Sequence, residues 1–276
     1  MQVTVLNVNR HTPTNWSQLR EWLRNRRGWA FRGQADCSWG LVTHLERVTS
    51  YRACSSLNTA SAEAILLGAF KRGAESLLSD EPLPHTTIEW LALMQHHGAA
   101  TRLLDFTLSP YVAAYFAIED PTLTCDRAIW AIDIAAIREK AAALLVPHVK
   151  DFAKQILAIQ DWADGDMTPC RVALPCAPSR AHRRLASQQG IFMVPGYLGD
   201  SFEKNLEHTC DGELAEHVQC YLMPSEWRGE VIEDLRKMNI TRASLFPGLD
   251  GFSQSLNIAL TSEEDALRAI RLASGG

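Results

Sequence analysis

The chain has 276 residues, 46% hydrophobic and 21% charged, an ordinary globular composition far from that of disordered chains. Lys and Arg number 27 against 32 Asp and Glu, a formal charge of -5, which has the wrong sign for a protein that coats nucleic acid, so an RNA or DNA partner would need a local patch. Seven cysteines without a C-x-x-C pair, no cationic-then-apolar leader and no apolar run near the roughly 20 residues of a membrane span point to a reducing cytoplasm and to no membrane partner.

Trp16, Leu19, Trp22 and Leu23 recur on one face of a helix over 15–25, with Thr14 or Asn15 as its cap. Trp29 to Gly33 alternates like a strand, with Arg32 and Gln34 outward. A helix over 57–78 carries Ala64, Leu67, Phe70, Ala74 and Leu77 as its core face, and another over 87–97 ends at a Gly98 cap. Leu103 to Thr107 is extended, and Ser109-Pro110 caps and opens a helix running to Ile118. A strand over 127–134 follows, then helix over 136–162 and a loop rich in Asp, Gly, Pro and Cys over 163–178; together 136–178 reads as an insertion in a single domain spanning 1–276. Later strands over 190–195 and 217–222, a helix over 228–238 and a capping box at Thr261 to Glu264 complete an α+β pattern. No metal set is expected. Cys170, Cys176 and His182 lack zinc-knuckle spacing, and the adjacent His96 and His97 diverge by about 100° on a helix and cannot readily chelate together with Asp105.

Three segments carry the most specific signal: Trp29-Ala-Phe-Arg-Gly-Gln34, the run from Gln95-His-His-Gly through Thr101-Arg-Leu-Leu-Asp105 and Thr107-Leu-Ser-Pro110 to Ala117, and Arg184-Leu-Ala-Ser-Gln-Gln-Gly190. Together with Phe246-Pro-Gly-Leu-Asp-Gly251 they resemble the FRG domain, the family named for the tripeptide that stands here at Phe31 to Gly33. Thr43 to Arg47 departs from the family's Pro-Ser-Leu-x-Arg, and Phe106 from its Trp. The first two segments are also similar to the opening elements of ADP-ribosyltransferases of the Arg-Ser-Glu type. That resemblance implies a mixed, mainly antiparallel split sheet with flanking and inserted helices, and an NAD-dependent transferase. It extends to a toxin or effector of a toxin–antitoxin or antiphage system, with RNA or protein as acceptor and an antitoxin or chaperone as partner.

On this reading Arg32 holds the NAD phosphates or ribose, with Gly33 admitting the ligand to the backbone and Gln34 beside them. Thr107 and Ser109 face the nicotinamide ribose, and His97, Thr101 and Arg102 wall the cleft. Breaking the glycosidic bond requires a group that opposes the oxocarbenium charge. The expected glutamate position falls on Gly190, so Asp105 and Gln189 stand with Arg32 as the catalytic candidates. The residues alone leave alternatives: Arg32 paired with Asp105 across two strands, Arg102 paired with Asp105, and a non-catalytic module that binds a nucleotide or nucleic acid.

Overall fold

The computed structural model describes residues 6–50, 58–78, 83–147, 151–165, 167–179 and 183–259. The chain begins with β1 (Asn9–His11), α1 (Trp16–Arg24), β2 (Trp29–Gln34), α2 (His44–Ser50), α3 (Thr59–Leu77), α4 (Thr87–His96), β3 (Leu104–Thr107) and α5 (Pro110–Ile118). It continues with β4 (Arg127–Asp133), α6 (Ile134–Leu145), α7 (Phe152–Asp164), β5 (Ala173–Cys176), α8 (Arg183–Ser187) and β6 (Gly190–Pro195). α9 (Phe202–Cys210), α10 (Leu214–His217), β7 (Val218–Met223), α11 (Arg228–Lys237), α12 (Arg242–Leu245) and α13 (Leu249–Ala259) close the described chain.

Local chemistry accounts for many of these boundaries. The Asn15 side chain accepts from Gln18 N to start α1. Thr86 and Glu89 form a reciprocal capping box on α4, and Gly98 with φ of 85° ends that turn in a conformation that strains any other residue. Ser109 caps α5 and Pro110 supplies its first turn.

The seven strands form one mixed sheet in the order β1-β7-β4-β2-β3-β6-β5, antiparallel at every pairing except β1 with β7. Alternation along β2 and β4 sends side chains to two cores. Ala30, Ala128, Trp130 and Ile132 pack with Phe202 and Leu206 of α9, while Phe31, Ile129 and Ala131 pack with α1, α5 and α11. A third core joins α4 to β6 through Ile88, Leu91, Phe192 and Val194.

The structure differs from the sequence expectation at several elements. The helix expected over 136–162 is two helices, and the loop over 163–178 contains β5, whose four residues are all buried at the sheet edge. On α3 the residues turned inward include Ala62, Glu63 and Ala74, whereas Ala64 and Leu77 are exposed, because the buried stripe follows a polar anchor that hydropathy does not register. Gln34 is buried, not outward: its amide donates to Gly40 O at 3.0 Å and its oxygen accepts from Trp130 Nε1 at 2.7 Å. The Thr261 to Glu264 capping box lies outside the described residues. No helix among the described residues is long and apolar enough to cross a membrane.

Candidate functional site

β2 and β3 are bridged at one residue pair, Phe31 with Thr107. Where they part, a cleft of about 1900 Å³ is lined by Phe31 to Gln34 from one strand and Asp105 to Thr107 from the other. Arg32 spans the gap, donating from NH1 to the Asp105 carbonyl at 2.7 Å in place of a strand-to-strand hydrogen bond. Its Nε is buried without a partner, which in a folded protein calls for an explanation. Burial pulls the guanidinium below its ordinary pKa, the Asp105 charge opposes that shift, and the Arg47 charge adds to it.

The Asp105 side chain is exposed on the cleft and is oriented by a relay from the turn after α4. The Thr101 hydroxyl donates to the Gln95 side-chain oxygen, and Gln95 Nε2 donates to Asp105 Oδ1 at 2.7 Å. The run from Gln95 to Asp105 therefore folds back on itself: Gly98 reverses the chain and lets its first residue hold its last. Thr107 is buried, with its hydroxyl donating to Gln188 O at 2.6 Å and accepting from Ser109 N at 3.0 Å.

Of the residues expected at the site, the cleft lining thus brings together Arg32, Gly33, Gln34, Asp105 and Thr107. Gly33 serves packing there, since a Cβ would meet the Ala113 carbonyl and lie 2.7 Å from Ala117 N, so α5 rests its backbone on β2. The structure does not bring His97, Thr101, Arg102, Ser109 or Gln189 to the lining. His97 caps α4 and packs edge-on against His96 with centroids 4.9 Å apart, and both rings are exposed. Arg102 pairs with Glu63 of α3, its Nε 2.8 and 2.9 Å from the two carboxylate oxygens. Its partner is thus not Asp105, three residues on, but a residue of another helix. Ser109 is occupied as the α5 cap, and Gln189 sits in a left-handed turn with φ of 48°, its carbonyl accepting from Leu108 N. At Gly190 a Cβ would require the Leu185 Cδ1 methyl to swing aside and would lie 3.2 Å from Leu185 O.

Sequence reasoning missed part of the lining. Arg184 of α8 lies over the Phe246 ring at 4.5 Å, and Arg242 lies over the same ring at 4.4 Å. Gln188 donates to Leu245 O at 3.1 Å, tying the end of α8 to α12. From α2 and α9 come two carboxylates, Glu46 half-buried and Glu203 buried: Glu46 accepts from Thr43 N and Phe202 N, each at 2.6 Å, and Glu203 accepts from Leu41 N at 2.7 Å. Burial raises both, Glu203 to about 7, with the neighbouring Glu46 and Glu207 charges adding to it. Arg184, Gln188 and Phe246 stand in segments that carry the family resemblance, but no role at the cleft was read from them; the basic stretch from Arg20 to Arg27 lies outside the lining, and its Arg20 pairs with Asp234. Half-exposed Trp39 lines the cleft, whereas Tyr115 is buried in the α5 core, so of these two aromatics Trp39 alone is placed to stack on a ligand.

Comparison with curated proteins and comparison with solved structures each found no match. Residues 27–124 match the family model described as the FRG domain, a span that holds Arg32, Gln95, Asp105 and Thr107.

Proposed function

We propose that the cleft binds NAD and that the chain transfers its ADP-ribose to an acceptor. The observation that carries this reading is the placement of β2 beside β3, so that Arg32 shares one cleft with Asp105 and Thr107 although the two strands are far apart in the sequence. A planar guanidinium with an unused donor suits phosphate oxygens. Transfer breaks the bond between the nicotinamide nitrogen and the ribose, with the electron pair leaving on nicotinamide. The acceptor forms the new bond to the same carbon and gives up its proton. Positive charge builds on the ribose between these events, and a fixed carboxylate opposes it. Asp105 is assigned that role, since Gly190 carries no carboxylate and Gln95 fixes the Asp105 carboxylate. Gln189 is left to the turn before β6.

The absence of an acid at Gly190 also favours a second reading, a module that holds a nucleotide without cleaving it. Incubation with NAD labelled in the adenylate half and a cell lysate separates the two. Nicotinamide release with label in a nuclease- or protease-sensitive product, lost in Arg32→Ala and Asp105→Asn, supports transfer and identifies RNA or protein as acceptor. Absence of nicotinamide release overturns it. A toxin role has its own readout, growth arrest on induction of the wild type but not of Arg32→Ala.

A further inference from the structure

Arg184 enters the cleft from α8 and is remote in sequence from the strands that carry Arg32 and Asp105. Its guanidinium lies over Phe246, and it has no hydrogen-bond or ion-pair partner among the described residues. A guanidinium that rests its face on an aromatic ring keeps its N–H rim open for acceptors in its own plane. Arg242, over the same ring, gives its two terminal nitrogens to Glu119 and Gln254 and keeps only a buried Nε. The Asp105 charge acts on both Arg32 and Arg184, yet its carboxylate pairs with neither among the described residues and is drawn to the Gln95 amide instead. Two desolvated guanidiniums therefore line one cleft together with one carboxylate, with donors left over on each. The buried Nε of Arg32 is the clearest of these.

We propose that Arg32 and Arg184 form a clamp for a diphosphate group, one fork for each phosphoryl unit, with Phe246 as the platform that aims Arg184. The inference rests on reading the cleft as a nucleotide site and narrows its ligand to nucleotides bearing a diphosphate. It does not require that the ligand be cleaved. Asp105 limits the fit to a ligand whose negative charge falls on the arginines, which an adenosine without phosphate cannot satisfy.

Calorimetric titration of the full chain with ADP, AMP and adenosine tests the clamp. ADP is expected to bind more tightly than AMP. Arg184→Ala should weaken ADP by about 10- to 100-fold, the worth of a charge-assisted hydrogen bond, and bring ADP and AMP together. Arg184→Lys should fail to restore the preference, because an ammonium has no planar fork. Thermal melts of both variants should lie close to the wild type, since among the described residues the Arg184 guanidinium gives up only its stacking on Phe246. Wild type that binds ADP no better than AMP, or does not bind ADP, overturns the clamp, as does Arg184→Ala with unchanged ADP affinity. Arg184-dependent ADP binding without nicotinamide release leaves the clamp standing and removes the transferase. Nicotinamide release together with Arg184-independent ADP binding does the reverse.

Discussion

Arg102 lies against Glu63 with its Nε 2.8 and 2.9 Å from the carboxylate oxygens, whereas Arg32 gives one N–H to a main-chain carbonyl and leaves its Nε buried and unpartnered. Both belong to motif segments, and both were candidates for the same ligand. Partnership separates them. Arg102 ties α3 to the turn before β3 and has little left to offer a ligand, while Arg32 holds donors in reserve at the floor of the cleft. Glu203 stands between these extremes, a buried acid whose Oε1 is met by one main-chain N–H and by no cation among the described residues.

The largest expected effect lies on the paired side of this contrast. Glu63→Ala strands the Arg102 charge, and chemical unfolding should show a loss of about 3–5 kcal/mol; a loss near zero would mean that Arg102 is as unspent as Arg32. Next comes Glu203. Its folded pKa of about 7 stands above its ordinary 4.5, so the folded state keeps a proton that the unfolded state releases, and stability falls as pH rises from about 4.5 through 7. Glu203→Gln, neutral throughout, should melt close to the wild type at pH 4 and clearly above it at pH 8. Parallel melting curves across that range would show the carboxylate to be well compensated. Smallest is Arg32→Ala, which should shift the unfolding free energy by under about 1 kcal/mol while removing nucleotide binding. A large stability loss there would place Arg32 with Arg102 as scaffold.

The sequence was most legible where chemistry is local. Asn15, Thr86, Gly98, Ser109 and Pro110 act on the turn they belong to, and the helices they bound match to within a residue or two. The strand over 190–195 also emerges with the expected bounds. β5 was missed because a four-residue strand containing Pro175 within a Cys- and Pro-rich stretch has no periodicity to read. The site was legible in its strand residues and not in its walls. Arg32, Asp105 and Thr107 lie on neighbouring strands, as the resemblance implied, but Phe246 meets Arg184 from 62 positions along the chain (246 − 184), and Glu63 meets Arg102 from 39 away. Partner choice over such separations is decided by the sheet order, which residue spacing does not encode.

The one-pair bridge between β2 and β3 has a mechanical consequence. An ordinary sheet transmits displacement through a ladder of many main-chain hydrogen bonds. Here β1-β7-β4-β2 and β3-β6-β5 meet at Phe31 and Thr107, and the next link across the gap is a side chain, Arg32 on the Asp105 carbonyl. Beyond that bridge the two halves are held by the core they share, in which Leu104, Phe106 and Met193 pack with Ala30 and Trp130, and by the seat of α5 on Gly33. Along the floor of the cleft the main-chain ladder thus gives way to side-chain contacts, and the sheet is continuous there through packing more than through hydrogen bonds.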